Sequence, residues 1–97
     1  LAMSSRNVRL TAEGRRRAPA LYAAMLAAAR DFRSGVTGAE AVARATAAVM
    51  AEGFESVEYI EFRDAATLGP VTDAARPVRM LAAAWLDGVR LIDNIAV

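Results

Sequence analysis

Four consecutive residues, Met3-Ser4-Ser5-Arg6, concentrate the phosphate-binding chemistry of this 97-residue chain. An Arg presents a planar fork of donors that matches phosphate oxygens, and Ser hydroxyls add neutral donors beside it. The same four residues also suit a solvated tail, and pattern alone favours that reading. Arg15-Arg16-Arg17 forms a second basic group. Consecutive helical residues splay around the axis, so a solvated face is favoured over a phosphate patch. Tyr59 and Trp85 have the rings to stack on a base, but in strands of a small domain core packing is the better expectation. Arg90 is expected opposite Trp85, where a cation–π contact would be worth about 0.5–1 kcal/mol if exposed. Asp93, followed by Asn94, falls on an apolar strand face and needs a partner there. A structural role is favoured, either an ion pair with Arg63 or Arg79 or a backbone cap. The functional alternative is an acid or metal ligand facing a cleft. Glu58 and Glu61 fall on opposite faces of a regularly alternating strand, so they are not a paired-carboxylate site.

What is missing narrows the chemistry further. There is no His, which removes the usual general base and the commonest metal ligand. There is no Cys, which excludes a disulfide framework, thiolate zinc sites and a thiol nucleophile. All 12 basic residues are Arg, so no P-loop or Schiff-base lysine exists. A net charge of +1 argues against a dedicated nucleic-acid or membrane-surface protein. Hydrophobic residues at 56% against charged residues at 24% predict a folded chain. The length fits a single domain over 1–97. No apolar run approaches the roughly 18–20 residues that span a bilayer, and the start lacks the pattern of a signal peptide. Opening on Leu1-Ala2-Met3 suggests a chain cut from something longer.

The elements that must position these residues follow from caps and periodicity. Residues 1–10 read as a polar loop. Thr11 is an N-cap for a short helix over 12–17, weakened by Gly14, and Pro19 restarts the chain near N1 of a second helix. Leu21, Tyr22, Met25, Leu26, Ala29 and Phe32 give that helix one apolar face as far as about Ser34, and Gly35 stops it. Thr37 with Glu40 reads as a capping box. The helix behind it carries Val42, Ala45, Val49 and Met50 and ends at Gly53. The two Ala-rich helices should pack antiparallel. Residues 57–62 then read as a strand, and Asp64 to Leu68 as a capped single turn closed by Gly69-Pro70. A loop follows over 70–77, then a strand from Val78 to Leu86. Asp87-Gly88 predicts a two-residue type I′ hairpin turn into Val89–Ile95. That register pairs Leu86 with Val89, Trp85 with Arg90, and Ala82 with Asp93. The expected class is α+β, with two packed N-terminal helices followed by a small three-stranded antiparallel sheet that ends in a hairpin.

With these blocks in order, the chain resembles the C-terminal domain of the pantothenate synthetase (pantoate–β-alanine ligase) family. The resemblance is carried by Leu1 to Asn7 with Leu10-Thr11-Ala12-Glu13, then Arg17 to Tyr22, and then Tyr59 to Asp64 with Thr67-Leu68. It closes with Ala83 to Leu86 and Arg90 to Asn94. Residues 35–50 carry little of it. The resemblance implies an enzyme that condenses pantoate with β-alanine through a pantoyl-adenylate, splitting ATP to AMP and pyrophosphate with Mg²⁺. It reverses the pattern-only reading of the opening segment. Met3-Ser4-Ser5-Arg6 then matches the triphosphate-gripping loop of the related class I aminoacyl-tRNA synthetases. In this reading Arg6 is the catalytic charge partner of the phosphates, Ser4 and Ser5 hydrogen-bond their oxygens, and Met3 lies near the nucleotide. The family's N-terminal nucleotide-binding domain is absent from the chain, and with it the residues for pantoate and β-alanine. The domain is therefore expected to act as a lid for that partner domain, in the cytoplasm, and to be inactive alone. No nucleic acid, membrane or protein-borne metal site is expected, and a homodimer is left open. The alternative is a non-enzymatic module binding a partner through its helical face or sheet edges. Nucleic-acid binding through Arg15, Arg16 and Arg17 is a weaker third reading.

Overall fold

A computed structural model describes residues 11–71 and 77–97 of the chain. The expected loop over 1–10, the tetrapeptide within it and most of the 70–77 loop lie outside the described residues.

Helix α1 (Ala12–Arg17) begins where Thr11 accepts the Gly14 N–H, at 3.0 Å, on its side-chain hydroxyl. That bond satisfies one of the orphan donors of the first turn. Pro19 opens α2 (Pro19–Arg33), where the missing N–H is harmless. Gly35, at φ +106°, ends it as expected. Thr37 caps α3 (Gly38–Ala51) by accepting the Glu40 N–H at 3.2 Å. The Glu40 carboxylate meets Arg44 Nε one turn on, at 3.2 Å. The end of α2 lies beside the start of α3, with Asp31 paired to Arg44 at 3.5 Å. The two helices are thus antiparallel, as their short connection requires.

Strands β1 (Ser56–Asp64), β2 (Val78–Leu86) and β3 (Val89–Ala96) form one antiparallel sheet in the order β1-β2-β3. The hairpin register matches the expectation, with Leu86 opposite Val89, Trp85 opposite Arg90 and Ala82 opposite Asp93. Asp87 and Gly88 both have positive φ, +52° and +72°, as a type I′ turn demands. The expected single turn after β1 is present. Leu68 N–H bonds back to Asp64 C=O, and Asp64 Oδ1 accepts from Ala66 N and Thr67 N.

The helices cover one face of the sheet and the core lies between the two layers. Leu21, Ala24, Met25 and Ala28 of α2 and Ala41, Ala45 and Val49 of α3 are buried. They meet Ile60 of β1, Met80, Ala82 and Leu86 of β2, and Val89, Leu91 and Ile95 of β3. Two helix assignments need correction. Tyr22 and Met50 are exposed, not core, because the inward stripes run through Leu21, Ala24, Met25 and Ala28 in α2 and Ala41, Ala45 and Val49 in α3, one position away from each. The alanines in both stripes let the helices approach closely, and Tyr22 and Met50 fall beside the stripes at the rim.

Candidate functional site

Among the described residues, titratable side chains gather on the outward face of the sheet and at the hairpin tip, besides the helix pairs of Glu13 and Arg44. The outward face depends on a β-bulge in β1. Val57 pairs with Ala84, but Tyr59 pairs with Ala83, so Glu58 is an extra residue. The bulge shifts the alternation of everything after it by one position. Glu58 and Glu61 therefore share the outward face, contrary to the expectation from strict alternation.

They still do not form a two-carboxylate site, because each is matched to an arginine. Glu58 accepts from Trp85 Nε1 at 3.0 Å and from Arg90 Nη2 at 2.9 Å. These bonds, Arg90's first and Trp85's second, hold the Glu58 carboxyl below its ordinary value, and Arg90 is raised by the same carboxylate. Glu61 accepts from Arg63 Nη2 at 2.6 Å. Trp85 is thus a half-buried outward residue and not a core one, and its coupling to Arg90 runs through Glu58.

Asp93 lies on the buried face with Val89, Leu91 and Ile95, as expected. Its Oδ1 accepts the Asn94 N–H at 2.8 Å, which supports the backbone-capping role. The guanidiniums proposed as its ion-pair partners have other contacts: Arg79 forks onto Asn94 Oδ1 at 2.8 and 3.1 Å, and Arg63 holds Glu61. Of the basic run on α1, Arg16 and Arg17 both pair with Glu13 on the same helix. A single carboxylate thus serves two guanidiniums of the run.

The hairpin tip is a cluster that the sequence reading does not single out. Thr11 Oγ1, besides capping α1, donates to Asp87 Oδ2 at 2.6 Å. Gly88 N–H donates to Glu55 Oε1 at 2.5 Å. The start of α1, the residues leading into β1 and the β2–β3 turn are thereby tied at one end of the molecule. Gly14 is the available signal, a helix-weakening residue inside a helix. Its partner Asp87 reads only as turn chemistry.

No group of three acidic, His or Cys side chains that could hold a metal ion occurs among the described residues. The described carboxylates do not fit a magnesium cage of their own. No described helix is long and apolar enough to cross a membrane. Met3, Ser4, Ser5 and Arg6, the residues expected to meet phosphate, lie outside the described residues, and Thr11 is where the described fold takes up the chain behind them.

Comparison with known proteins bears on that segment. The family model described as pantoate-beta-alanine ligase matches residues 1–96. The chain is 57% identical over all its 97 residues to a pantothenate synthetase from Paracoccus denitrificans (strain Pd 1222), covering 34% of that protein. It is 59% identical over its full length to one from Cereibacter sphaeroides (strain ATCC 17029 / ATH 2.4.9), covering 35%. A crystal structure of pantothenate synthetase from Thermus thermophilus superposes with a TM-score of 0.83 at 37% identity, over 98% of this chain and 34% of that one. The chain spans about a third of the length of the curated relatives it matches.

Proposed function

The chain belongs to the pantoate–β-alanine ligase family, and from that membership we propose that it is the C-terminal lid domain of such a ligase, contributing the loop that grips the ATP triphosphate. The observation that carries this reading is the family match across residues 1–96, which includes Met3-Ser4-Ser5-Arg6. The complete ligase joins pantoate to β-alanine. The pantoate carboxylate attacks the α-phosphorus of ATP and pyrophosphate leaves, and the β-alanine amine then displaces AMP from the acyl phosphate.

Negative charge grows on the departing pyrophosphate in the first step. Arg6, with the hydroxyls of Ser4 and Ser5, binds that charge more strongly in the transition state than in the ground state, which lowers the barrier. Met3 lies against the nucleotide. The remainder of the domain closes over the partner domain and excludes water that would hydrolyse the mixed anhydride. No described carboxylate cluster would hold magnesium, so it would come with the ATP phosphates and offset part of their charge. The enzyme works in the cytoplasm, and pantoate and β-alanine bind outside this chain.

The test is Arg6→Ala in the full-length ligase. Pantothenate formation should fall by about 10²–10³, the usual loss for one transition-state donor, with the melting temperature unchanged. Wild-type turnover would refute the reading. The isolated chain should bind ATP only weakly, since one loop bears the whole ordering cost without a nucleotide pocket. Micromolar affinity in titration calorimetry would count against that division of labour.

A further inference from the structure

We propose that α1 is a strap: a short helix that lifts off the domain as a unit while the two layers behind it stay folded, with Asp87 as the latch that holds it down. The strap does not depend on how ATP is gripped, since every contact involved lies within the described residues.

α1 buries almost nothing of its own. It is six residues long, and its one buried residue, Gly14, has no side chain. A helix this short is marginal by itself, and helices in proteins owe most of their stability to an apolar face packed on a neighbour. Ala12, Glu13, Arg15 and Arg16 are exposed, and Arg17 is half-buried. The pairs of Glu13 with Arg16 and Arg17 lie within the helix and do not fasten it to the rest. The core begins just beyond it, with Ala18 and then Leu21 of α2.

The contacts at the two ends of α1 are polar. At its start, Thr11 donates to Asp87 Oδ2 at 2.6 Å while accepting from Gly14 N–H at 3.0 Å. The Asp87 carboxylate fills the space beside Gly14, where a Cβ would lie 2.2 Å from Oδ2 and 3.1 Å from Cγ. A helix-weakening glycine stands inside α1 because Asp87 reaches into it. Asp87 is fixed in its turn at φ +52°, and the next N–H, that of Gly88, donates to Glu55 Oε1 at 2.5 Å. At the far end, Arg17 lies against Gly53, just past the end of α3. A cation is favoured at a helix C-terminus.

The joint behind α1 favours release. Ala18 leads directly into Pro19, and a residue before proline prefers an extended backbone. Ala18 is instead helical, at φ −51° and ψ −41°, with its N–H bound to Gly14 C=O at 2.8 Å. Once the latch opens, that bond can break and Ala18 can extend, with Pro19 still starting α2. Elements with few buried apolar contacts are the ones that open locally.

Peptide-resolved hydrogen–deuterium exchange of the full-length ligase tests the strap. The amides of residues 14–17 should exchange at least about a hundredfold faster than those around Met25 and Met80. Asp87→Gly keeps the positive φ of the turn and removes the acceptor. It should speed α1 exchange about tenfold, the loss of one hydrogen bond to a charged group, and leave α2, α3 and the sheet unchanged. Asp87→Asn, which retains an acceptor, should exchange close to wild type. Gly14→Ala reads the latch through a change of effect. In the Asp87→Gly protein the alanine should slow α1 exchange about fivefold, because alanine is the better helix former. With Asp87 present it should bring no slowing, because the added methyl evicts the carboxylate. Three results would each overturn the proposal. One is wild-type α1 exchanging no faster than the core. Another is an Asp87→Gly effect that is absent or spread over α2, α3 and the sheet. The last is equal slowing by Gly14→Ala in both backgrounds.

Discussion

Between the helices and the sheet, Leu21, Met25 and Met80 are sealed from solvent. At the hairpin tip, Thr11, Glu55, Asp87 and Gly88 are exposed and are joined by single hydrogen bonds. The first region excludes water from apolar surface, and that is where a small domain gains most of its stability. The second gains little net free energy, since each bond replaces one to water. It does tie the start of α1 and the residues before β1 to the β2–β3 turn. The contrast separates two jobs. The core keeps the domain folded, and the tip fixes how α1 and the residues before β1 meet the hairpin.

Breaking the core should therefore unfold the domain without retuning its chemistry. Met25→Ala is expected to lower stability by about 2–5 kcal/mol, the range for truncating a fully buried side chain. Denaturant melts of the full-length protein would measure the loss, and kcat per folded molecule should stay unchanged. A fall in kcat at saturating substrate would blur the division between core and tip.

An intermediate effect is expected where the two regions adjoin. Gly53 ends α3 at φ +94°, and a Cβ there would lie 2.7 Å from Arg17 Nη1. Gly53→Ala combines left-handed strain with a displaced guanidinium and should cost about 1–2 kcal/mol. The flexible Arg17 side chain can yield, so backbone strain should dominate. Arg17→Ala would then leave the penalty of Gly53→Ala nearly intact in a double-mutant cycle on melting temperature.

The smallest effect is expected on the outward face. The folded Glu58 carboxyl lies below its ordinary value of 4.5, first because of Arg90 and then Trp85. A depressed carboxyl adds stability above the unfolded value and loses it as pH falls through the folded one. The Glu58 contribution should thus be intact at neutral pH and fade only below about pH 4.5. Glu58→Gln should flatten the acid limb of the stability profile slightly, as expected of an exposed pair screened by solvent.

The sequence is most readable where local chemistry decides structure. Thr11 and Thr37 announce their caps, Gly35 and Gly53 their helix ends, and Asp87-Gly88 the turn that sets the pairing of Trp85 with Arg90. It is least readable where a feature has no local marker. The bulge at Glu58 carries neither Gly nor Pro, yet it decides that Glu58 and Glu61 share a face. Apolar periodicity locates the inner stripes of α2 and α3 but not their edges, so it places Tyr22 and Met50 inside when both lie at the rim. Trp85 reads as a core residue because its ring is apolar, but Glu58 offers its indole N–H a partner on the other face. At the hairpin tip, the sequence shows only the odd glycine at 14. Its partner lies more than seventy positions away, beyond the reach of any local pattern.

The central claim is that the segment ahead of Thr11 supplies charge to the leaving pyrophosphate. The most direct measurement is pantoate-dependent exchange of labelled pyrophosphate into ATP by full-length enzyme carrying Arg6→Ala. The account predicts exchange reduced by about 10²–10³ in a protein that melts like the wild type. Exchange at the wild-type rate would contradict it.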